Sequence, residues 1–205
     1  MIDDARTNAP LTVLTLERIV SLQDFEGFAR AFAGIGKAQA VALWNGEAQL
    51  VHITVAAANG DEIDPSSDLY TNLIKAIDAG RDPVQEVRVD SFQPLRFNLA
   101  AKVLVDPRYT AAAVLADVEA ALQNALAFEK RAFGQAVTAA EVVTEIQRVA
   151  GVVATDLDHL YLVTDPSGLN PILPAATARW QDNVIQPAQL LLLNPVGVTL
   201  TEMRP

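Results

Sequence analysis

The sequence contains no cysteine, only two histidines and few aromatic residues, and each shortage removes a class of function. Without cysteine there is no disulfide, no thiolate metal ligand and no cysteine nucleophile. The two histidines, His52 and His159, are too far apart to form a pair at metal-ligand spacing. An aromatic fraction of 6% indicates cores of Ala, Val and Leu, which suit thin α+β layers better than one thick aromatic core.

Basic side chains and long apolar runs are also scarce. There are 15 Lys and Arg against 25 Asp and Glu, a net charge of -10, which opposes attraction to nucleic-acid phosphates. The apolar runs are far shorter than the ~20 residues that span a bilayer, and the N-terminus has no basic segment followed by an apolar core. We therefore predict no nucleic-acid partner, no membrane association and a cytoplasmic location.

Two acidic clusters are the strongest candidates for chemistry, and both are weak. The run Asp156-Leu157-Asp158-His159 is more typical of a solvated strand start than of a metal site. The run Asp61-Glu62-Ile63-Asp64 lacks the ordered spacing and distal glutamate of a calcium loop. Because no phosphate-binding loop or nucleophile elbow is present either, we predict no catalytic residue, no cofactor and no metal.

Two segments share one pattern of helix start, apolar face and glycine stop. Ser21-Leu22-Gln23-Asp24 and Thr138-Ala139-Ala140-Glu141 both resemble a capping box, and the first predicts a helix at roughly 22–33. The matched pairs are Ser21 with Thr138, Asp24 with Glu141, Phe25 with Val142, Ala29 with Ile146, Phe32 with Val149 and Gly34 with Gly151. A β-rich stretch follows each helix, which indicates two units of related design.

The rest of the chain fits two small α+β units of helices and antiparallel sheet. In the first, strands 38–43 and 49–55 flank the turn dipeptide Asn45-Gly46, and a helix at 67–79 precedes a third strand near Val84 to Val89. In the second, a strand at 95–105 and an Ala-rich helix at 110–126 precede the repeated helix. We predict an N-terminal extension at 1–20, a first unit at 21–92 and a second at 93–205. The second unit includes an irregular Pro-rich insertion at 165–188 and ends in a strand.

Five side chains are candidate interface residues. Trp44 and Trp180 could anchor a partner, because tryptophan is enriched in binding hot spots, although ordinary partial burial explains them equally well. Phe128, Arg131 and Phe133 lie in a loop that either docks a partner or packs as a hinge between helices. Ser91-Phe92-Gln93-Pro94 is the predicted hinge between the units.

Several stretches together resemble the C-terminal region of baseplate J-like proteins of contractile phage tails and injection systems. The resemblance is carried by residues 4–11 with Thr15, by 20–30 and by the turn at 34–38. It continues at Phe128-Glu129-Lys130-Arg131-Ala132-Phe133-Gly134-Gln135, at Val142, Ile146 and 149–152, and at 187–191 with Gly197-Val198. These residues span nearly the whole chain.

This resemblance implies a structural role. Baseplate J-like proteins form wedge subunits that encircle the central hub and link to neighbouring wedges and the sheath, so hub, wedge and sheath subunits and further copies of the chain are the implied partners. The chain would then assemble in the cytoplasm and become part of a phage tail or injection particle. Family members are commonly longer, so we expect either a short member or a C-terminal part. Unpaired sheet edges are natural docking sites for such assembly.

Two other functions remain alternatives. The first is a small-ligand or carbohydrate-binding module in which Trp44 or Trp180 stacks on a sugar. The second is a hydrolase centred on Asp156, Asp158 and His159.

Overall fold

A computed structural model describes residues 19–203, and these fold into two compact units. The first unit contains the described residues up to Gln93 together with Thr177–Ala188, and the second contains Pro94–Ala176 together with the described residues from Gln189 onwards. Each unit combines helices with a three-stranded sheet, so the predicted α+β class is confirmed. The chain thus passes from one unit to the other at three points, after Gln93, after Ala176 and after Ala188.

The first unit begins with a capped helix and a hairpin, as the sequence predicted. Helix α1 spans Leu22–Ala31, and its N-cap Ser21 forms a complete capping box with Asp24. Strands β1 (Ile35–Trp44) and β2 (Gln49–Ala57) pair antiparallel across the predicted turn, where the Asn45 side chain accepts hydrogen bonds from the N–H groups of Glu47 and Ala48.

Strand β3, which follows helix α2, completes this sheet by pairing parallel with β2. Helix α2 spans Asp68–Gly80 and β3 spans Val87–Ser91, and β3 lies beside β2 in the order β1-β2-β3. We predicted an antiparallel sheet, but β3 runs parallel to β2, because α2 carries the chain back along the sheet before β3 begins. The core contains buried residues from both helices and the sheet, among them Phe25, Ile53, Leu73 and Ile77.

The predicted irregular insertion contains short strands of its own. Strand β8 (Arg179–Gln181) and strand β9 (Val184–Gln186) form a hairpin in the first unit. Its two turn residues, Asp182 and Asn183, both have positive φ. This conformation is typical of two-residue hairpin turns, because its twist matches that of the flanking strands. Residues 177–188, which the sequence analysis placed in the second unit, therefore lie in the first.

The second unit surrounds the sheet β10-β4-β6. Its elements are β4 (Gln93–Val105), α3 (Ala111–Ala125), a 3-10 turn (Phe128–Lys130), β5 (Val137–Thr138), α4 (Ala139–Gln147), β6 (Val152–Leu162), β7 (Ile172–Leu173) and β10 (Gln189–Glu202). Strand β4 pairs antiparallel with β6, and β5 pairs with β7. Buried residues of β4, α3 and α4 form the core, and the predicted final strand is present as β10.

Candidate interaction surfaces

The two tryptophans both lie in the first unit, on different hairpins. Trp44 is the last residue of β1 and its side chain is exposed, with 61% of the residue accessible. Trp180 lies in β8 and is half-buried. An exposed indole beside a rigid turn offers a large apolar surface at low conformational cost, so Trp44 is the better placed of the two for binding a partner.

The loop with two aromatics is held inside the second unit by a buried arginine. Arg131 is 2% exposed, and its guanidinium donates to the Glu141 carboxylate at 2.7 Å and to the Ala136 carbonyl at 2.6 Å. Phe133 is buried and Phe128 is half-buried. Since a residue that is buried within its own unit has little surface to offer, the burial of Arg131 and Phe133 favours the packing alternative for this loop.

The predicted hinge is hydrogen-bonded to the first unit. The Ser91 hydroxyl accepts from the Ile63 N–H at 2.8 Å, the Phe92 N–H donates to the Val55 carbonyl at 3.0 Å, and the Gln93 N–H donates to the Ala188 carbonyl at 3.0 Å. Phe92 is also buried. Residues 91–93 thus have the bonding of a strand, and a hinge role for this segment stays a prediction.

A buried polar cluster in the first unit was missed by sequence reasoning. His52 is fully buried in β2, and its Nε2 lies 2.9 Å from Oδ2 of Asp90 on β3. The hydroxyl of Thr54, also fully buried, accepts from the Ala188 N–H at 3.1 Å and lies 3.5 Å from Nδ1 of His52. The cluster therefore fastens segment 177–188 to the sheet. A histidine within a mostly apolar strand was the available signal, but Asp90 is 38 residues from His52 along the chain and Ala188 is 134 residues from Thr54.

The two acidic clusters considered for chemistry bind neighbouring protein groups. Asp158 accepts from Lys102 at 2.7 Å, which raises the pKa of that lysine. His159 packs edge-on against Tyr161. In the other cluster, Asp61 accepts from the Asn59 amide, and the pKa of Asp64 is lowered by hydrogen bonds from Ser66. Over residues 19–203, no group of three or more His, Asp or Glu side chains is arranged to hold a metal ion.

Within residues 19–203, no helix is both long enough and apolar enough to cross a bilayer.

One segment of the chain is similar to a known family of domains. Residues 17–90 match the Baseplate J-like central domain, a segment that includes α1, the β1–β2 hairpin, α2 and most of β3. This confirms the resemblance to baseplate J-like proteins for that part of the chain. No curated protein matches the sequence.

The fold is similar to that of a chain in a solved structure. A chain of the cryo-EM structure of the anti-feeding prophage (AFP) baseplate, 6-fold symmetrised, matches with a TM-score of 0.61 and 7% identity. The match covers 95% of this chain but only 42% of the other, so this chain spans less than half the length of that relative. At this identity the similarity establishes the fold alone.

Proposed function

We propose that the chain is a structural subunit of a contractile-tail baseplate, such as that of a phage or an injection system, because residues 17–90 match the Baseplate J-like central domain. The single observation that carries the proposal is this family match. It is supported by the fold similarity to a baseplate chain, which extends over 95% of the sequence and therefore over both units.

The proposal includes the partners and the absence of catalysis. Other baseplate subunits, such as wedge and hub proteins and the sheath, would contact the chain, and the chain would associate with further copies of itself inside the particle. The acidic clusters are engaged by Lys102, Asn59 and Ser66, as expected of surface groups that serve stability and solubility rather than turnover. Assembly would begin in the cytoplasm and end in the finished particle.

A deletion experiment in the native host tests this function. Removing the coding sequence should abolish contractile particles, as seen by negative-stain electron microscopy of induced lysates, and the wild-type gene on a plasmid should restore them. The restored particles should contain the chain, which mass spectrometry of purified particles would detect. Particles that assemble normally without the chain would exclude the structural role.

The exposure of Trp44 supports a second candidate function, carbohydrate binding. The side chain of a tryptophan residue that is 61% accessible can stack on a sugar ring. Binding of the full chain to a glycan array, lost in Trp44→Ala and kept in Trp180→Ala, would support it. An array with no signal would remove this candidate.

A further inference from the structure

Strand β3 forms one of the two edges of the first unit's sheet. The sheet order β1-β2-β3 leaves β3 with no strand beyond it among residues 19–203. Toward β2, the Val51 N–H donates to the Glu86 carbonyl at 2.9 Å and the Phe92 N–H donates to the Val55 carbonyl at 3.0 Å. In a parallel ladder these bonds alternate along the strand, so the even-numbered residues of β3 face β2 and the odd-numbered ones direct their N–H and C=O groups outward.

A groove of about 230 Å³ runs between this edge and helix α2. Consecutive residues 87–90 line it, and consecutive side chains point to opposite faces of a sheet, so the groove follows the strand edge itself. On the helix side, Tyr70, Ile74 and Ile77 line it at three- and four-residue spacing, as one stripe of α2. The groove therefore combines outward backbone groups with an apolar wall.

A hydrogen bond from Tyr70 shows that an outward carbonyl of β3 can accept from a donor in the groove. Its hydroxyl donates to the Val89 carbonyl at 2.6 Å, one of the outward groups of β3. Burial raises the pKa of this hydroxyl, which keeps it protonated as a donor at neutral pH. Val87, the other odd-numbered residue of β3 that lines the groove, directs its N–H outward as well.

The charges around the groove leave one carboxylate without a Lys or Arg partner. Asp78 is paired with Arg81 at 2.7 Å, and Arg88 is paired with Glu86 at 3.0 Å. Asp90 contacts the neighbouring imidazole of His52, and 48% of its side chain is exposed. Among residues 19–203, no Lys or Arg lies within ion-pair distance of Asp90, so the groove is complementary to a cationic side chain.

We propose that this groove binds an extended segment of another polypeptide chain, which adds to β3 as a further strand. Because side chains alternate along a strand, the segment places apolar side chains against the partly exposed Tyr70 and Ile74 on one face and a Lys or Arg beside Asp90 on the other. The proposal rests on the assembly function proposed above and names the kind of partner segment that this unit takes in the particle.

The test starts from a display library of random octapeptides selected on the immobilised full chain. Enriched peptides should alternate apolar residues with Lys or Arg. The most enriched peptide, synthesised with a fluorophore, is then titrated by anisotropy against the chain and its variants. No enrichment, or enrichment of a peptide whose binding is unaffected by change at β3, would overturn the proposal.

Two pairs of variants locate the binding. Val87→Pro removes an outward N–H that makes no bond to β2, while Val87→Ala loses the same methyl groups and keeps the N–H. We expect Val87→Pro to weaken binding at least about tenfold relative to Val87→Ala, as loss of main-chain bonding requires. Asp90→Asn, which keeps an oxygen for His52, should weaken binding about fivefold at low salt, and the exposed Glu62→Gln should leave it unchanged.

Hydrogen exchange on the unsubstituted chain provides a readout that does not depend on any variant folding. Addition of the selected peptide should slow exchange of the Val87 and Val89 amides, and unchanged exchange there would contradict strand addition. In the native host, particles formed normally with Val87→Pro would overturn the groove proposal alone, because the baseplate role is tested separately by deletion.

Discussion

The two units use the same helix start for different purposes. In the first, the Asp24 carboxylate returns to the Ser21 N–H at 2.9 Å, while the Ser21 hydroxyl accepts from the Asp24 N–H. In the second, the Thr138 hydroxyl accepts from the Glu141 N–H, but the Glu141 carboxylate binds Arg131 instead. A buried guanidinium needs a countercharge more than a helix end needs a second cap, because an unpaired buried charge costs several kcal/mol and a cap about one.

A glycine with a left-handed backbone follows each of these two helices. Gly34 and Gly151 both have φ near +90°, and a side chain added at either position would press on an apolar neighbour. At Gly34 that neighbour is the end of Leu69, whereas at Gly151 it is both Tyr109 and Val114. The shared pattern therefore places a left-handed glycine in the turn after each helix, and the surroundings decide how much change each glycine tolerates.

The largest test of this comparison is removal of the buried guanidinium. Arg131→Ala should destabilise the second unit by about 3 kcal/mol, because it leaves Glu141 and the Ala136 carbonyl without their donor. Chemical denaturation followed by circular dichroism measures the loss. Arg148→Ala is the control, since that arginine is also paired with a glutamate but is 68% exposed, and it should change stability by less than about 0.5 kcal/mol. Equal effects of the two substitutions would mean that burial of Arg131 does not matter.

The glycine stops provide the next test. Gly151→Ala should lower the free energy of unfolding by about 2 to 3 kcal/mol and Gly34→Ala by about 1 to 2 kcal/mol. Both substitutions place a side chain at positive φ, but only Gly151 faces two packed neighbours. Thermal unfolding measures both. Gly27→Ala lies inside α1 with nothing within 4 Å of the added carbon, so it should stabilise by about 0.5 to 1 kcal/mol. Destabilisation by all three would point to a cause other than backbone conformation.

The smallest test concerns the acid sensitivity of the first helix. The Ser21 N–H donates to Asp24 and holds the pKa of that carboxyl below its usual value of 3.8. A lowered folded-state pKa contributes stability that is complete above the unfolded value, near pH 4, and is lost as pH falls through the folded value. Denaturation at pH 6 and at pH 3 should therefore show that the free energy of unfolding falls less between these pH values for Asp24→Asn than for wild type. The same loss in both would show that this carboxylate does not stabilise the fold.

Local patterns in the sequence were enough for much of the first unit. Ser21 and Asp24 predicted the start of α1 and Asn45-Gly46 predicted the β1–β2 turn, because each of these features acts within four residues of its own position. The predicted end near residue 33, ahead of Gly34, was too late, because Phe32 already has an extended backbone and the helix ends at Ala31. The matching start of α4 at Thr138 was found by the same signal. The pair Asp182-Asn183 carried a comparable turn signal between Trp180 and Val184, and the β8–β9 hairpin could have been predicted from it.

The candidate surfaces and the sheet arrangement depend on distant residues, and the sequence did not reveal them. The exposure of Trp44 and the burial of Arg131 follow from packing that no local period encodes. The parallel direction of β3 depends on α2 crossing the sheet, and the groove beside β3 exists only when both are in place. Segment 177–188 could not be assigned to the first unit, because the bond from Ala188 to Thr54 joins residues 134 positions apart.

The three passages of the chain between the units also limit how such a protein can be recombined. A crossover between related genes at position 93 would transfer the described part of the first unit without residues 177–188. The recipient gene would then have to encode a β8–β9 hairpin and a residue at position 188 whose N–H can donate to the transferred Thr54 hydroxyl. Exchange of an intact first unit therefore requires transfer of both the segment up to residue 93 and the segment 177–188. We expect natural chimaeras of this fold to have breakpoints on both sides of 177–188.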